Sequence, residues 1–162
     1  MRLLAPSTYN LTTRQSGVTT IELLVVIAII GILSAMAVPS FVEFIRNQRI
    51  RAMATDLHVS LMRTRSEAIK RNRDVTIAPM TAGSWQSGWT VADPDNVGSN
   101  IENHSAFVGV VVTGPATVVY QGSGRISGTA APNFDIGATG STVKRCVSID
   151  LSGRPYTKSV TC

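Results

Sequence analysis

Glu22 is the residue most in need of a chemical explanation. It stands directly before residues 23–42, twenty positions without a charge. A carboxylate beside so apolar a stretch is costly in lipid, and such residues usually have a partner. The plainer alternative is an acid in the first turn of a helix, stabilised by the macrodipole by about 0.3–1 kcal/mol. Cys146 and Cys162 lie 16 positions apart. A disulfide closing that loop is worth about 3 kcal/mol in the chain-entropy picture, and two buried free thiols are the alternative. A metal pair lacks further ligands. His58 lies in a charged helical stretch and His104 in a polar loop, neither with a Cys or acid cluster at ligand spacing, and both read as surface histidines. Lys144, Arg145, Arg154 and Lys158 surround Tyr156. Bases interleaved with an aromatic ring suit phosphate contact and base stacking on single-stranded nucleic acid. A β-turn carrying a solvated arginine is the alternative. The sequence holds no Gly-x-Ser-x-Gly, His-Glu-x-x-His, P-loop or dinucleotide fingerprint, so no enzyme, cofactor or metal is expected.

The elements that must position these residues follow from composition. The 162 residues suffice for about one domain with a real core. Fifteen Lys and Arg against ten Asp and Glu give a net charge of +5, yet charged residues are only 15%. A disordered chain has the opposite balance. Two cysteines exclude a dense disulfide scaffold and a Cys₄ zinc site.

Residues 23–42 would form a helix of roughly 30 Å, the thickness of a hydrocarbon core. Residues 1–17 carry Arg2 and Arg14 and no acid, so the segment before the span stays cytoplasmic by the positive-inside rule. Ala35-Met36-Ala37 has the small-x-small form of a secretory cleavage site, the mark of an exported protein whose apolar segment is removed. Glu22 argues against it, because a disposable signal has no use for a carboxylate there.

Pro39 should kink the helix rather than end it. Beyond it, Phe41, Ile45, Ile50, Met53, Leu57 and Leu61 form one apolar stripe, extended by Ala68 and Ile69. Residues 43–74 hold eight bases and four acids. Most read as a solvated face with local pairs such as Glu67–Arg71 at i, i+4. Arg46 and Arg49 are placed to meet lipid headgroups just beyond the span. After Asp74 the texture turns to Gly, Thr, Ser and Val. Strands are expected at 75–78, 88–92, 106–112, 117–120, 133–136, 145–151 and 155–160, with 93–105 an irregular loop. Trp85 and Trp89 read as packing residues, with Gly88 permitting a close turn or bulge. The fold class is α+β: a long N-terminal helix whose outer half packs on a small, mainly antiparallel β head.

The order Gly17-Val18-Thr19-Thr20-Ile21-Glu22-Leu23-Leu24, followed by Pro39, resembles the class III leader of type IV pilins and pseudopilins. The resemblance implies cleavage by a prepilin peptidase after Gly17, N-methylation of Val18 and retention of the span. The family usually has Phe at the new N-terminus and Leu two residues later, where this chain has Val18 and Thr20. Glu22 would then lie four residues from a new positive amine and offset it, on its own chain or a neighbour's, setting register in a filament. Three further stretches resemble the GspH/FimT family of minor pseudopilins: Leu61-Met62-Arg63-Thr64-Arg65-Ser66-Glu67-Ala68-Ile69-Lys70-Arg71-Asn72, Trp85-Gln86-Ser87-Gly88-Trp89 and Ser152-Gly153-Arg154-Pro155-Tyr156.

The implied fold is type IV pilin-like. It comprises a leader (1–17), a transmembrane assembly half-helix (18–42), a periplasmic amphipathic half (43–74) and a β-rich head (75–162). The implied function is a minor type IV pilin that initiates or caps pilus assembly, with a type II secretion minor pseudopilin as the alternative. Implied partners are other major and minor pilins, the prepilin peptidase and the bacterial inner membrane, with the head periplasmic before assembly and in the fibre afterwards. An oxidising periplasm makes the Cys146–Cys162 disulfide the expected state. Some FimT-type minor pilins act as DNA receptors in natural transformation through a Gly-Arg-containing C-terminal region. The matching residues here are Gly153 and Arg154, with Tyr156 where a further Arg tends to stand and Lys158 beyond it. Lys144 and Arg145 complete the candidate DNA surface.

Overall fold

A computed structural model describes residues 17–162. Arg2, Arg14 and the rest of the expected leader up to residue 16 lie outside the described residues. One helix, α1 (Thr20–Arg71), is followed by eight strands: β1 (Val75–Thr81), β2 (Ser84–Ala92), β3 (Asn100–His104), β4 (Val111–Thr113), β5 (Val118–Tyr120), β6 (Asn133–Gly137), β7 (Arg145–Ile149) and β8 (Pro155–Lys158). The chain divides into two units, Met1–Pro39 and Ser40–Cys162.

In the first unit, the Thr19 hydroxyl accepts a hydrogen bond from the Glu22 backbone N–H at 3.3 Å, and the Thr19 carbonyl accepts from Leu23 N–H at 3.1 Å. Thr19 is therefore the N-cap and Glu22 the third helical residue, the spacing of a capping box. Every residue from 17 to 39 is exposed. The helix is long and apolar enough in this part to cross a membrane.

In the second unit, α1 buries Ile50, Met53, Leu57, Leu61 and Ala68, with Ser60 and Thr64 on the same face. The expected stripe is corrected at its ends: Phe41 and Ile69 are exposed and Ile45 is half-buried. The helix stops at Arg71, three residues short of expectation, because Asn72 takes a left-handed φ of 50°. Arg73 N–H then reaches the Ala68 carbonyl and Asn72 N–H the Ile69 carbonyl, each at 3.2 Å. This pair of bonds satisfies the helix-end carbonyls in the Schellman manner.

The strands form two four-stranded sheets, ordered β3-β2-β1-β5 and β4-β6-β7-β8, with every pairing antiparallel. Their inner faces supply Ile77, Trp85, Trp89, Tyr120, Phe134, Ile136, Val147 and Ile149 to one core with the helix. Trp85 meets Phe134 edge-on at 4.8 Å and donates from Nε1 to the Pro115 carbonyl at 2.7 Å, so both tryptophans are packing residues. Gly88, at φ 92°, lies where a Cβ would stand 2.2 Å from the His104 carbonyl oxygen.

Several strand expectations fail: β2 starts at Ser84 rather than residue 88, and β7 and β8 each end two residues early, at Ile149 and Lys158. The stretch 93–105 contains β3, whose polar Asn-Ile-Glu-Asn-His sequence suits a solvated edge strand rather than an alternating one. The expected strand at 106–112 shrinks to Val111–Thr113, because residues 108–109 form a turn.

Candidate functional site

The candidate residues fall in two places. Gly17, Val18 and Glu22 stand at the exposed start of α1, and Glu22 makes no salt bridge among the described residues. The remainder belong to the hairpin of β7 and β8 and to its flanks.

β8 is the outer strand of its sheet and lies along α1. The contacts run in order. Arg51 lines a cleft with Thr157, Lys158 and Ser159. His58 Nε2 is 3.3 Å from the Pro155 carbonyl. Arg65 donates to the Ser152 carbonyl at 3.2 Å. Arg51, His58 and Arg65 recur every seven residues, which keeps them on nearly one face. The signal for these contacts in the sequence is this polar heptad, which apolar periodicity does not pick out. His58 is therefore a contact residue and not a free surface histidine.

The turn between β7 and β8 is built tightly. Gly153 N–H donates to the Asp150 carbonyl at 2.9 Å, and Asp150 N–H to the Arg154 carbonyl at 3.1 Å. The Asp150 carboxylate accepts from the Ser152 hydroxyl at 2.5 Å and from Arg154 N–H at 3.0 Å. Those bonds, the Ser152 hydroxyl first, hold its pKa below the usual carboxylate range. Gly153 is buried at φ 85°, and a Cβ there would lie 1.9 Å from the Gly124 carbonyl oxygen. That same oxygen accepts from Arg65 Nε at 2.9 Å. Arg65 thus joins α1, the 121–125 turn and the 150–154 turn.

At the other end, a disulfide joins Cys146 to Cys162. Cys146 pairs with Lys158 in the ladder, and Cys162 N–H donates to the Asp135 carboxylate at 2.8 Å. Lys158 Nζ lies 5.2 Å from the centre of the Tyr156 ring, a cation–π contact. The Arg145 guanidinium donates to the Ser159 hydroxyl. Lys144, Arg145 and Arg51 line one cleft with Val160.

The six candidate DNA-contact residues therefore do not form one patch. Gly153 and Arg154 occupy the turn. Lys144, Arg145 and Lys158 stand at the opposite end of the hairpin, roughly 13 Å of strand away, joined by Arg51 from the helix. Tyr156 lies between, at the edge of exposure. The residues 93–95 carry a second feature missed in the sequence: Arg71 pairs with Glu67 at 2.9 Å, as its i, i+4 spacing implies, and also with Asp93 at 2.8 Å and Asp95 at 2.6 Å. The Glu67 and Asp95 hydrogen bonds raise its pKa further. His104 likewise departs from a simple surface residue: it stacks on Trp89 at 4.0 Å and sits 3.5 Å from Asp56.

Residues 53–153 match the family described as Type II transport protein GspH, and residues 12–38 match the prokaryotic N-terminal methylation motif. The type IV major fimbrial protein FimA of Dichelobacter nodosus is 35% identical in an alignment 98 positions long that covers 54% of this chain and 62% of that protein. The chain thus spans less than two thirds of that relative. Among solved structures, the type IV minor pilin FimU of Pseudomonas aeruginosa is similar at a TM-score of 0.62 and 20% identity, over 71% of this chain and 92% of that one. The minor pseudopilin EpsH of the Vibrio cholerae type 2 secretion system is similar at 0.53 and 14%, over 68% and 97%. Both share the long helix and small antiparallel head as a fold. With the GspH match covering most of the head and the outer helix, this chain belongs to the GspH family of minor pilins and pseudopilins.

Proposed function

We propose that the protein is a minor subunit of a type IV pilus, incorporated through α1 and helping to initiate or cap the fibre. The observation that carries this reading is the surface of α1 over residues 20–39, exposed throughout and uncharged after Glu22, beside a matched methylation motif. So much contiguous apolar surface needs lipid before assembly and neighbouring helices after it. In this reading a prepilin peptidase cuts after Gly17 and Val18 becomes the methylated N-terminus. Residues 23–42 span the inner membrane and the head faces the periplasm, where oxidation maintains the Cys146–Cys162 bond. Glu22 then offsets the new amine, on its own chain or on the next subunit, while the Thr19 cap holds the first turn in place.

Likeness to a fimbrial protein supports a pilus, and a type II secretion pseudopilin is the alternative, supported by the family match. Either role is structural rather than catalytic. Glu22→Gln tests the reading. Membrane insertion and leader processing should stay normal, while recovery in sheared filaments falls about ten-fold, the loss of one charge-assisted contact of about 1.5 kcal/mol. Normal incorporation would refute the role of Glu22. A null strain that loses secretion but keeps pili selects the alternative.

Contact with DNA during natural transformation is a second reading. It is favoured by Arg154, exposed on a fixed turn and without a salt bridge among the described residues. Binding to the full chain in micelles should weaken with salt. Arg154→Gln should weaken it for all sequences alike and reduce the salt slope by about one. No binding at low salt discards this reading.

A further inference from the structure

Six bases of the second unit gather around the first turns of its stretch of α1. Toward the far end of the helix, Arg63, Lys70, Arg71 and Arg73 are salt-bridged, and Arg65 donates instead to the Gly124 and Ser152 carbonyls. Toward its start, Arg46, Arg49, Arg51, Lys144, Arg145 and Lys158 make no salt bridge among the described residues. The fold gathers them. Arg49 donates to the Val108 carbonyl at 3.3 Å. Ser141 donates to Asn47 at 2.9 Å, and the Arg46 guanidinium reaches 3.1 Å from where a Gly140 Cβ would stand. Arg51 shares clefts with Lys144, Arg145 and Lys158. Glu43, one helical turn before Arg46, and Asp135, beside Lys144, are the acids nearby.

Two exposed apolar side chains stand among these bases: Val108 at 76% and Val160 at 57% exposure. Arg46, Arg49 and Arg51 follow Val42 by about 6, 10 and 13 Å along one helix. The headgroup layer extends roughly 5–7 Å beyond the hydrocarbon on each side, and charges act over a Debye length of about 8 Å.

We infer that this basic collar, with Val108 and Val160, docks the head onto anionic phospholipid headgroups of the membrane that holds the span. The inference rests on the reading that residues 23–42 cross that membrane. Bases with exposed apolar tips are what an interfacial surface presents to anionic lipid. Docking ties the head of an unassembled subunit to the bilayer surface, and extraction into a fibre strips the contact.

The test is amide hydrogen exchange of the full chain in phosphatidylcholine vesicles with and without phosphatidylglycerol. Amides of 106–110, 138–145 and 159–161 should exchange about five-fold more slowly or better in the anionic vesicles, the effect of one base at an anionic surface. High salt, or Arg46→Gln with Lys144→Gln and Lys158→Gln, should abolish the difference. Unchanged exchange in β1 and β2 then reports an intact fold. Equal exchange in both lipids, with residues 23–38 protected, overturns the docking and leaves the span. Unprotected 23–38 amides overturn the span and the docking with it. If a single-stranded oligonucleotide protects the same segments in uncharged vesicles and anionic lipid does not, the collar is a nucleic-acid surface and the inference fails.

Discussion

Gly153→Ala separates contact from backbone preference in the turn that carries Arg154. The native φ of 85° disfavours any side chain, at about 1–2 kcal/mol. The second cost is steric. The new Cβ would lie 1.9 Å from the Gly124 oxygen, 3.0 Å from its carbonyl carbon and 3.3 Å from the Arg125 Cα. These are backbone atoms and cannot rotate aside, so one turn must move. The shared donors of Arg65 then lose one of their two carbonyls, worth about 1 kcal/mol at a partly exposed site. The total is about 2–3 kcal/mol. Gly98→Ala is the matched control, because Gly98 has a φ of 90° but nothing within 4 Å of its Cβ position. It should cost the backbone share alone. Urea unfolding of the full chain in micelles, followed by the fluorescence of buried Trp85 and Trp89, measures both. The Gly153 variant should shift its midpoint further, by about 1 M. Equal midpoints for the two variants would refute the steric reasoning.

Removing the disulfide by Cys162→Ser should lower stability by about 3 kcal/mol. A reductant should bring the native chain to the same value, and thiol titration should find no free thiol before reduction. The Tyr120 hydroxyl is buried without a hydrogen-bond partner among the described residues, and burial pushes its pKa well above the usual tyrosine range. The unfolded chain ionises near pH 10 while the native chain does not, so the native chain holds the extra proton and stability falls as pH rises above about 10. Tyr120→Phe should flatten that alkaline loss, and at pH 7 it should be neutral or stabilising by about 1 kcal/mol. Clear destabilisation at pH 7 would show that the hydroxyl has a partner.

The apolar periodicities were legible in the sequence. Ile50, Met53, Leu57 and Leu61 announce their helix face, and the strands at 75, 118, 133, 145 and 155 begin within a residue of expectation. What escaped has physical reasons. β3 is polar because it is an edge, so it lacks the alternation by which strands are read. The helix end depends on the left-handed backbone of Asn72, which residue type permits but does not require. The grouping of the bases failed for a different reason. Closeness in sequence puts Arg145 and Arg154 together, whereas a hairpin places them at opposite ends. Arg51 is distant in sequence and adjacent in space.

The strap formed by β8 along α1 has a mechanical consequence. Its ties at His58 and Arg65 are strung along the helix. A pull along the helix axis loads them together, in shear, rather than one after another as in unzipping. Peeling would have to start at an end of the strap. One end is seated by the Gly153 turn against Gly124; the other is fastened by Cys162 to the neighbouring strand. A thread drawn lengthwise therefore hands its tension to the head over the whole strap, with no loose corner at which tearing can begin.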